Sequence, residues 1–222
     1  MLLEVIALDA ADARNAADGG ADRVELVSDM TTGGLSPAPA TVAAVRAAVA
    51  IPVRVMLRTT PGFAADLPAL RRTARELRAA GATEFVLGFL DPRGAVDTAA
   101  LDELAPGDAP WTFHRAIDHA ASRADAWQAV AGRPGLDAVL TAGSPAGVGG
   151  GGLAVLTGEA AAHGALLLAG GGLRDAHLPA LAAAGVRAFH SGSAVRPDGD
   201  WSAPVSPALV RRLRDRIEGC CR

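Results

Sequence analysis

The chain has 222 residues, half of them hydrophobic and 20% charged, with a net charge of −3 and five histidines. That is enough apolar material for one sizeable core, and it leaves no basic field of the kind that holds nucleic acid. All 21 basic residues are arginine, which excludes Schiff-base chemistry through a lysine amine, and tyrosine is absent, so His, Asp, Glu, Ser, Thr and Cys remain to carry protons or attack.

No apolar run reaches the roughly 20 residues that span a bilayer. Residues 1–8 lack a basic leader ahead of an apolar stretch, so the expected location is cytoplasmic, with no membrane partner. In chain order, short β-branched or Leu-rich runs predict strands over 3–8, 23–27, 53–58, 84–89, 112–116, 138–141, 165–169 and 187–190. An Ala/Leu/Arg segment with helical spacing follows each one; Leu209, Val210, Leu213 and Ile217 show the apolar stripe of the last. Gly20, Gly81 and Gly185 stand at helix-to-strand joints, where a left-handed cap suits glycine. The first strand runs into Asp9-Ala10-Ala11 and not into the glycine-rich turn of an open dinucleotide-binding sheet. Eight such units predict an α/β fold, a single (β/α)8 TIM-type barrel over 1–222 with a mobile tail over 218–222. The stretch 144–152 is glycine-rich and reads as a flexible loop before a helix at 153–163.

A closed barrel carries its chemistry on the rim at the C-terminal ends of its strands. The polar residues expected there or inside the strands are Glu4, Glu25, Arg58, His114, Arg115, Thr141 and His190, with Asp118 just beyond the fifth strand. Carboxylates within apolar strands need partners, and Arg58, Arg23 and His114 are the candidates. Glu25, His114 and Arg58 then form either an acid–base constellation or an ion-pair layer that fills the barrel; Glu4 is open to both readings as well. His190 reads either as a catalytic or binding histidine or as a strand-end side chain satisfied by backbone. His119, His163 and His177 read as surface residues.

Gly170-Gly171-Gly172 and Ser191-Gly192-Ser193 follow strands seven and eight, where barrels hold phosphate on backbone N–H groups. Gly171, Gly172, Ser191, Gly192 and Ser193 are the expected anion-binding set, with tight turns alone as the other reading. In Thr31 to Pro37, Ser36-Pro37 suits a helix N-cap and first turn, and the glycines suit either a lid or a static turn. Cys220 and Cys221, adjacent at the C-terminus, offer thiolates to Cu(I) but no pre-formed site.

Several blocks together resemble the copper homeostasis protein CutC family: Leu2-Leu3-Glu4-Val5, the run Gly19 to Leu26, Gly33-Gly34-Leu35-Ser36-Pro37, Val55-Met56-Leu57-Arg58, Thr112 to Asp118, Leu140-Thr141-Ala142-Gly143, Gly170-Gly171-Gly172 and Phe189-His190-Ser191. The resemblance runs to about residue 195 and implies a barrel, a cytosolic location, a homo-oligomer and an association with copper homeostasis, with a copper ion as the cofactor to consider. The family's proposed copper ligands include cysteines at positions that here hold Ile6 and Val27. Relatives also carry a second arginine after the first, where this chain reads Thr59-Thr60-Pro61-Gly62-Phe63. Three readings remain open: a CutC-like role in copper homeostasis without those thiols, a barrel enzyme acting on a small phosphorylated or anionic metabolite, or a non-catalytic scaffold with no ligand in the rim pocket. Lyase, isomerase or lysine-independent aldolase chemistry fits the second. The partner is a small anionic ligand or a metal ion, and the metal ligands are unassigned.

Overall fold

The computed structural model describes residues 1–220, and in it the eight expected strands close into one parallel barrel in sequential order. They are β1 (Leu2–Ala7), β2 (Arg23–Leu26), β3 (Val53–Met56), β4 (Glu84–Leu87), β5 (Trp111–Phe113), β6 (Leu136–Thr141), β7 (Leu167–Ala169) and β8 (Ala188–Ser191). Around them lie α1 (Ala10–Asp18), α2 (Pro39–Ala48), α3 (Leu67–Ala79), α4 (Thr98–Leu104), α5 (Arg123–Val130), α6 (Leu153–His163), α7 (Leu178–Ala183) and α8 (Pro207–Cys220).

Strand periodicity divides the core in two. Leu3, Val5, Val24, Leu26, Phe85 and Phe113 point outward and are buried beneath the helices in one continuous cluster. The alternate residues fill the barrel, with Ile6, Val27, Met56 and Val86 on one side and Ala138, Leu140 and Leu168 on the other. The remaining interior is ionic. Arg54 meets Glu84 at 2.8 Å, Thr112 at 2.7 Å and both oxygens of Asp137 at 2.7 and 2.6 Å, while Arg23 meets Glu4 at 2.5 Å. Parallel register sets these pairs, since Glu4 stands beside Arg23 and Arg54 beside Glu84 on neighbouring strands.

Local chemistry explains where elements begin and end. Asp9 caps α1 by accepting from Ala11 and Asp12 N–H groups at 2.8 Å each, which accounts for the absence of a glycine turn there. Gly20, Gly81 and Gly185 adopt φ values of 94°, 101° and 96°, as the helix-to-strand joints require. Strand β5 stops at Phe113 and does not reach Ala116, because His114 turns the chain into a 3-10 segment, Arg115–His119, by accepting the Ala116 N–H on its ring. Helix α2 begins at Pro39 without a side-chain cap. Ser36, read as that cap, instead joins the loop to Arg58 through its hydroxyl, at 2.9 Å to the N–H and 3.2 Å to the carbonyl. The segment 144–152 is partly wound, with a wide helical turn over Val148–Gly152 leading into α6. The tail expected over 218–222 is helical as far as Cys220, which is half-buried; Cys221 and Arg222 lie outside the described residues.

Candidate functional site

A cavity of about 600 Å³ opens at the C-terminal ends of the strands, with apolar walls from Ile6, Met56, Phe63, Leu140, Leu173 and Trp201. Glu25, Arg58, His114 and His190 line it, as do Gly171, Gly172, Ser191, Gly192 and Ser193. Of the polar residues singled out in and just after the strands, Arg115 lines it too, whereas Glu4 is set back below His190 and Thr141 and Asp118 do not line it.

Glu4 and Glu25 share a partner that is neither Arg58 nor His114. His190 Nδ1 lies 2.8 Å from Glu4 Oε1, and its Nε2 lies 3.7 Å from Glu25 Oε2. The strand register brings this about, because Glu4 stands beside His190 on β8 and beside Arg23 on β2. The three side chains are almost wholly buried. Burial alone opposes charge on Glu4, but Arg23 and His190 outweigh it and hold the carboxyl down at about 2. At Glu25 burial dominates and Glu4 adds repulsion, so despite His190 and Arg23 the carboxyl is pushed up to about 7. His190 also faces a burial penalty, yet the carboxylates of Glu25 and Glu4 raise its pKa. Glu25 Oε1 is buried and makes no hydrogen bond among the described residues. Of the ion-pair and acid–base readings, then, Glu4 and Arg23 fit the first, while Glu25 is left as a carboxyl poised near neutrality.

His114 is set differently. Its Nδ1 accepts the Ala116 N–H at 3.2 Å, which places the proton on Nε2, and Nε2 is buried without a partner among the described residues. Burial first, then the Arg58 charge, lowers its pKa to about 3, so the ring stays neutral. The ring has room because position 88 is glycine; a Cβ there would fall 2.6 Å from Nδ1.

Arg58 is largely committed to backbone. Nη1 donates to the carbonyls of Thr32, Gly33 and Gly34 at 3.2, 3.3 and 3.1 Å, and Nε to that of Gly62 at 3.0 Å. It clasps the loop after β2 to the loop after β3, which favours a held turn there over a free lid. Its guanidinium also lies 5.2 Å from the ring centroid of Phe63, which in turn contacts His114 and His119 at 5.6 and 4.8 Å.

Beyond β7 and β8, the backbone N–H groups of Gly171, Gly172, Ser193 and Ala194 are not taken up by backbone partners among the described residues. Gly171 and Gly172 have φ of 87° and 79°, a conformation side-chain-bearing residues seldom adopt, and the Gly171 carbonyl is fixed by the Val148 N–H at 3.0 Å. Ser191 Oγ is buried and unpartnered among the described residues. Arg115 lies against this turn, since a Cβ on Gly171 would come within 3.1 Å of its guanidinium carbon. Arg115 is aimed by Asp118 at 2.8 Å and by the Ser144 and Pro145 carbonyls at 3.1 and 3.2 Å. Asp118 is itself held by Thr141 Oγ1 at 2.5 Å, the Ala142 and Gly143 N–H groups at 2.9 and 3.1 Å, and Arg123 at 2.9 Å.

His119 is exposed, as read from the sequence, and also lines the cavity; His163 stacks on Trp127 at 4.1 Å and His177 accepts the Arg174 N–H at 3.2 Å. Phe63 and Trp201 gave no signal in the sequence, because apolar aromatic residues in loops have no pattern that places them. Arg115 carried a signal in its spacing from Asp118, three residues on, the interval that brings two side chains together on a helical turn.

The donors available to a metal are few. Among the described residues no group of three or more His, Cys, Asp and Glu side chains converges as a metal site. The soft atoms at the cavity are the thioethers of Met30 and Met56, Ile6 lines its wall, and Val27 is buried beside Ile6. This set does not fit a thiolate Cu(I) site.

A family model, that of the CutC family, matches residues 1–195. A CutC family protein of Xanthomonas campestris pv. campestris (strain 8004) is 38% identical over 200 residues, covering 86% of this chain and 82% of the relative. One from Klebsiella pneumoniae (strain 342) is 33% identical over 206 residues, covering 90% and 81%. A crystal structure bearing the name copper homeostasis protein CutC, from Streptococcus agalactiae, superposes with a TM-score of 0.72 at 22% identity, covering 86% of this chain and 98% of that one.

Proposed function

For this chain, which belongs to the CutC family, we propose that the rim cavity binds a small anionic, most simply phosphorylated, metabolite and acts on it by proton transfer. The observation that carries this reading is the meeting, in one cavity, of a buried Glu25 carboxyl whose Oε1 has no hydrogen-bond partner with the N–H groups of two glycine turns that no backbone partner takes up, both among the described residues. Glu25 serves as the base, because a carboxyl near neutral pKa is ionised for a useful fraction of molecules and still basic enough to take a proton. His190 and Glu4 position it. Gly171, Gly172, Gly192 and Ser193 cradle the anion, Ser191 adds a hydroxyl, and Arg115 supplies the charge that Arg58, spent on loop carbonyls, leaves to it.

The association with copper homeostasis comes with the family name, and the donor set gives it no thiolate site inside the barrel. Isothermal titration with inorganic phosphate tests the main reading. Wild type binds, and Ser193→Asp, which sets a carboxylate in the cradle, loses at least about tenfold in affinity, the effect of some 1.4 kcal/mol. Absence of phosphate binding to wild type overturns it. A Cu(I) titration against a chromophoric chelator separates the alternative. Tight binding that survives in the Cys220→Ser, Cys221→Ser double variant would place copper in the barrel and favour direct handling; we expect no such binding.

A further inference from the structure

Three buried polar atoms at the cavity have no partner among the described residues: Glu25 Oε1, His114 Nε2 and Ser191 Oγ. An unmet buried polar atom is costly, so three on one cavity describe the ligand that would meet them. One needs a proton to take or a donor to accept, one needs an acceptor, and the hydroxyl can do either. Resting on the anion-binding reading above, we propose that the substrate is a small phosphorylated α-hydroxycarbonyl compound, enolised with Glu25 as the base and His114 Nε2–H donating to the carbonyl oxygen.

The tautomer decides the role of His114. Because Nδ1 is occupied by the Ala116 N–H at 3.2 Å, Nε2 presents a hydrogen and not a lone pair, so His114 is a donor and cannot be the base. The Cβ-free position at Gly88 leaves the ring its place. The absence of lysine removes the lysine iminium route to carbanion stabilisation, and a hydrogen bond to the oxygen itself is a stabiliser that the His114 N–H supplies.

In the step, the C–H bond next to the carbonyl breaks and its proton passes to the Glu25 carboxylate. The electron pair becomes the C=C bond of the enolate, and the carbonyl π pair moves onto the oxygen that faces His114. Return of the proton from Glu25 to the same carbon exchanges hydrogen. Return to the adjacent carbon, with the hydroxyl proton passing to the former carbonyl oxygen, shifts the carbonyl by one position. No oxidant or other co-reactant is consumed.

The test is proton NMR in D2O at pH 7 with dihydroxyacetone phosphate, ribulose 5-phosphate and fructose 6-phosphate, alongside phosphate titration of every variant. Wild type is expected to exchange the C–H beside the carbonyl of at least one of these. The rate should fall about 10²-fold or more in Glu25→Gln and in His114→Ala, and recover in part in His114→Gln, which keeps an N–H donor. Retained phosphate affinity in each variant shows that the cradle is intact. Phosphate binding by wild type without exchange on any of the three overturns enolisation and leaves the anion site standing, as does exchange unaffected by His114→Ala. Failure of wild type to bind phosphate overturns the underlying reading instead.

Discussion

Glu25 ties function to stability. A carboxyl whose pKa rises on folding makes the folded chain bind more protons than the unfolded one between about pH 4.5 and 7, so stability falls as pH rises across that window and the full cost remains above it. His190 acts in the same direction, since a raised imidazole contributes stability below its unfolded value that is lost as pH climbs through the folded one. Glu25→Gln removes the carboxyl's share. We expect its melting temperature relative to wild type to increase from pH 5 to pH 8, by roughly 2–4 °C for each kcal/mol involved; a pH-independent difference would mean that Glu25 titrates normally. Glu4→Gln does the opposite. It leaves Arg23 and His190 facing a neutral amide in a nearly dry interior, and a cost of about 3–5 kcal/mol should appear in urea denaturation. That Glu4 and Glu25 needed cationic partners was legible in the sequence, because buried charge is rarely left alone. Arg23 was legible as a candidate and does pair with Glu4, but the shared partner His190 was not, since residues 4, 25 and 190 are neighbours only through strand register.

At the scale of elements, the loop after β2 owes its shape to one side chain on another strand's end. Arg58→Ala deletes four hydrogen bonds to loop carbonyls. The amides of Gly33 and Gly34 should exchange with solvent at least about tenfold faster, read by hydrogen-exchange mass spectrometry, with a global stability loss of only about 1–2 kcal/mol. Unchanged protection would show that the Ser28 and Leu35 bridge, with N···O distances of 2.8 Å, holds the loop unaided. The glycines of that loop made a lid or a static turn equally readable, and the clasp that decides between them spans 24–26 residues of sequence. Helix existence was plain from spacing and glycine joints. The early end of β5 was not, because it depends on an imidazole accepting a backbone N–H two residues ahead.

Over the whole molecule, closure of the ring is secured where first and last units meet. Asp12, at the start of α1, accepts from Arg196 at 2.6 Å and from the Val205 N–H at 2.9 Å, both buried, and from the half-buried Leu8 N–H at 3.1 Å. Asp12→Ala strands Arg196, only 2% exposed, and should cost about 3–5 kcal/mol, lowering the melting temperature by about 10 °C; a loss under about 1 kcal/mol would show that strand pairing between β1 and β8 suffices. The repeat of eight strand–helix units, the parity of apolar residues and the glycine joints belong to the sequence alone, since periodicity and backbone conformation are local properties. So does the place of the two glycine turns after β7 and β8, which follows from strand count. The pairing of Glu4 and Glu25 through His190, the diversion of Arg58 to loop carbonyls and the approach of Arg115 to Gly171 were decided only by the closed barrel. Each joins residues far apart in the chain or set by loop paths, and the energy of a buried charge depends on which neighbours closure delivers to it.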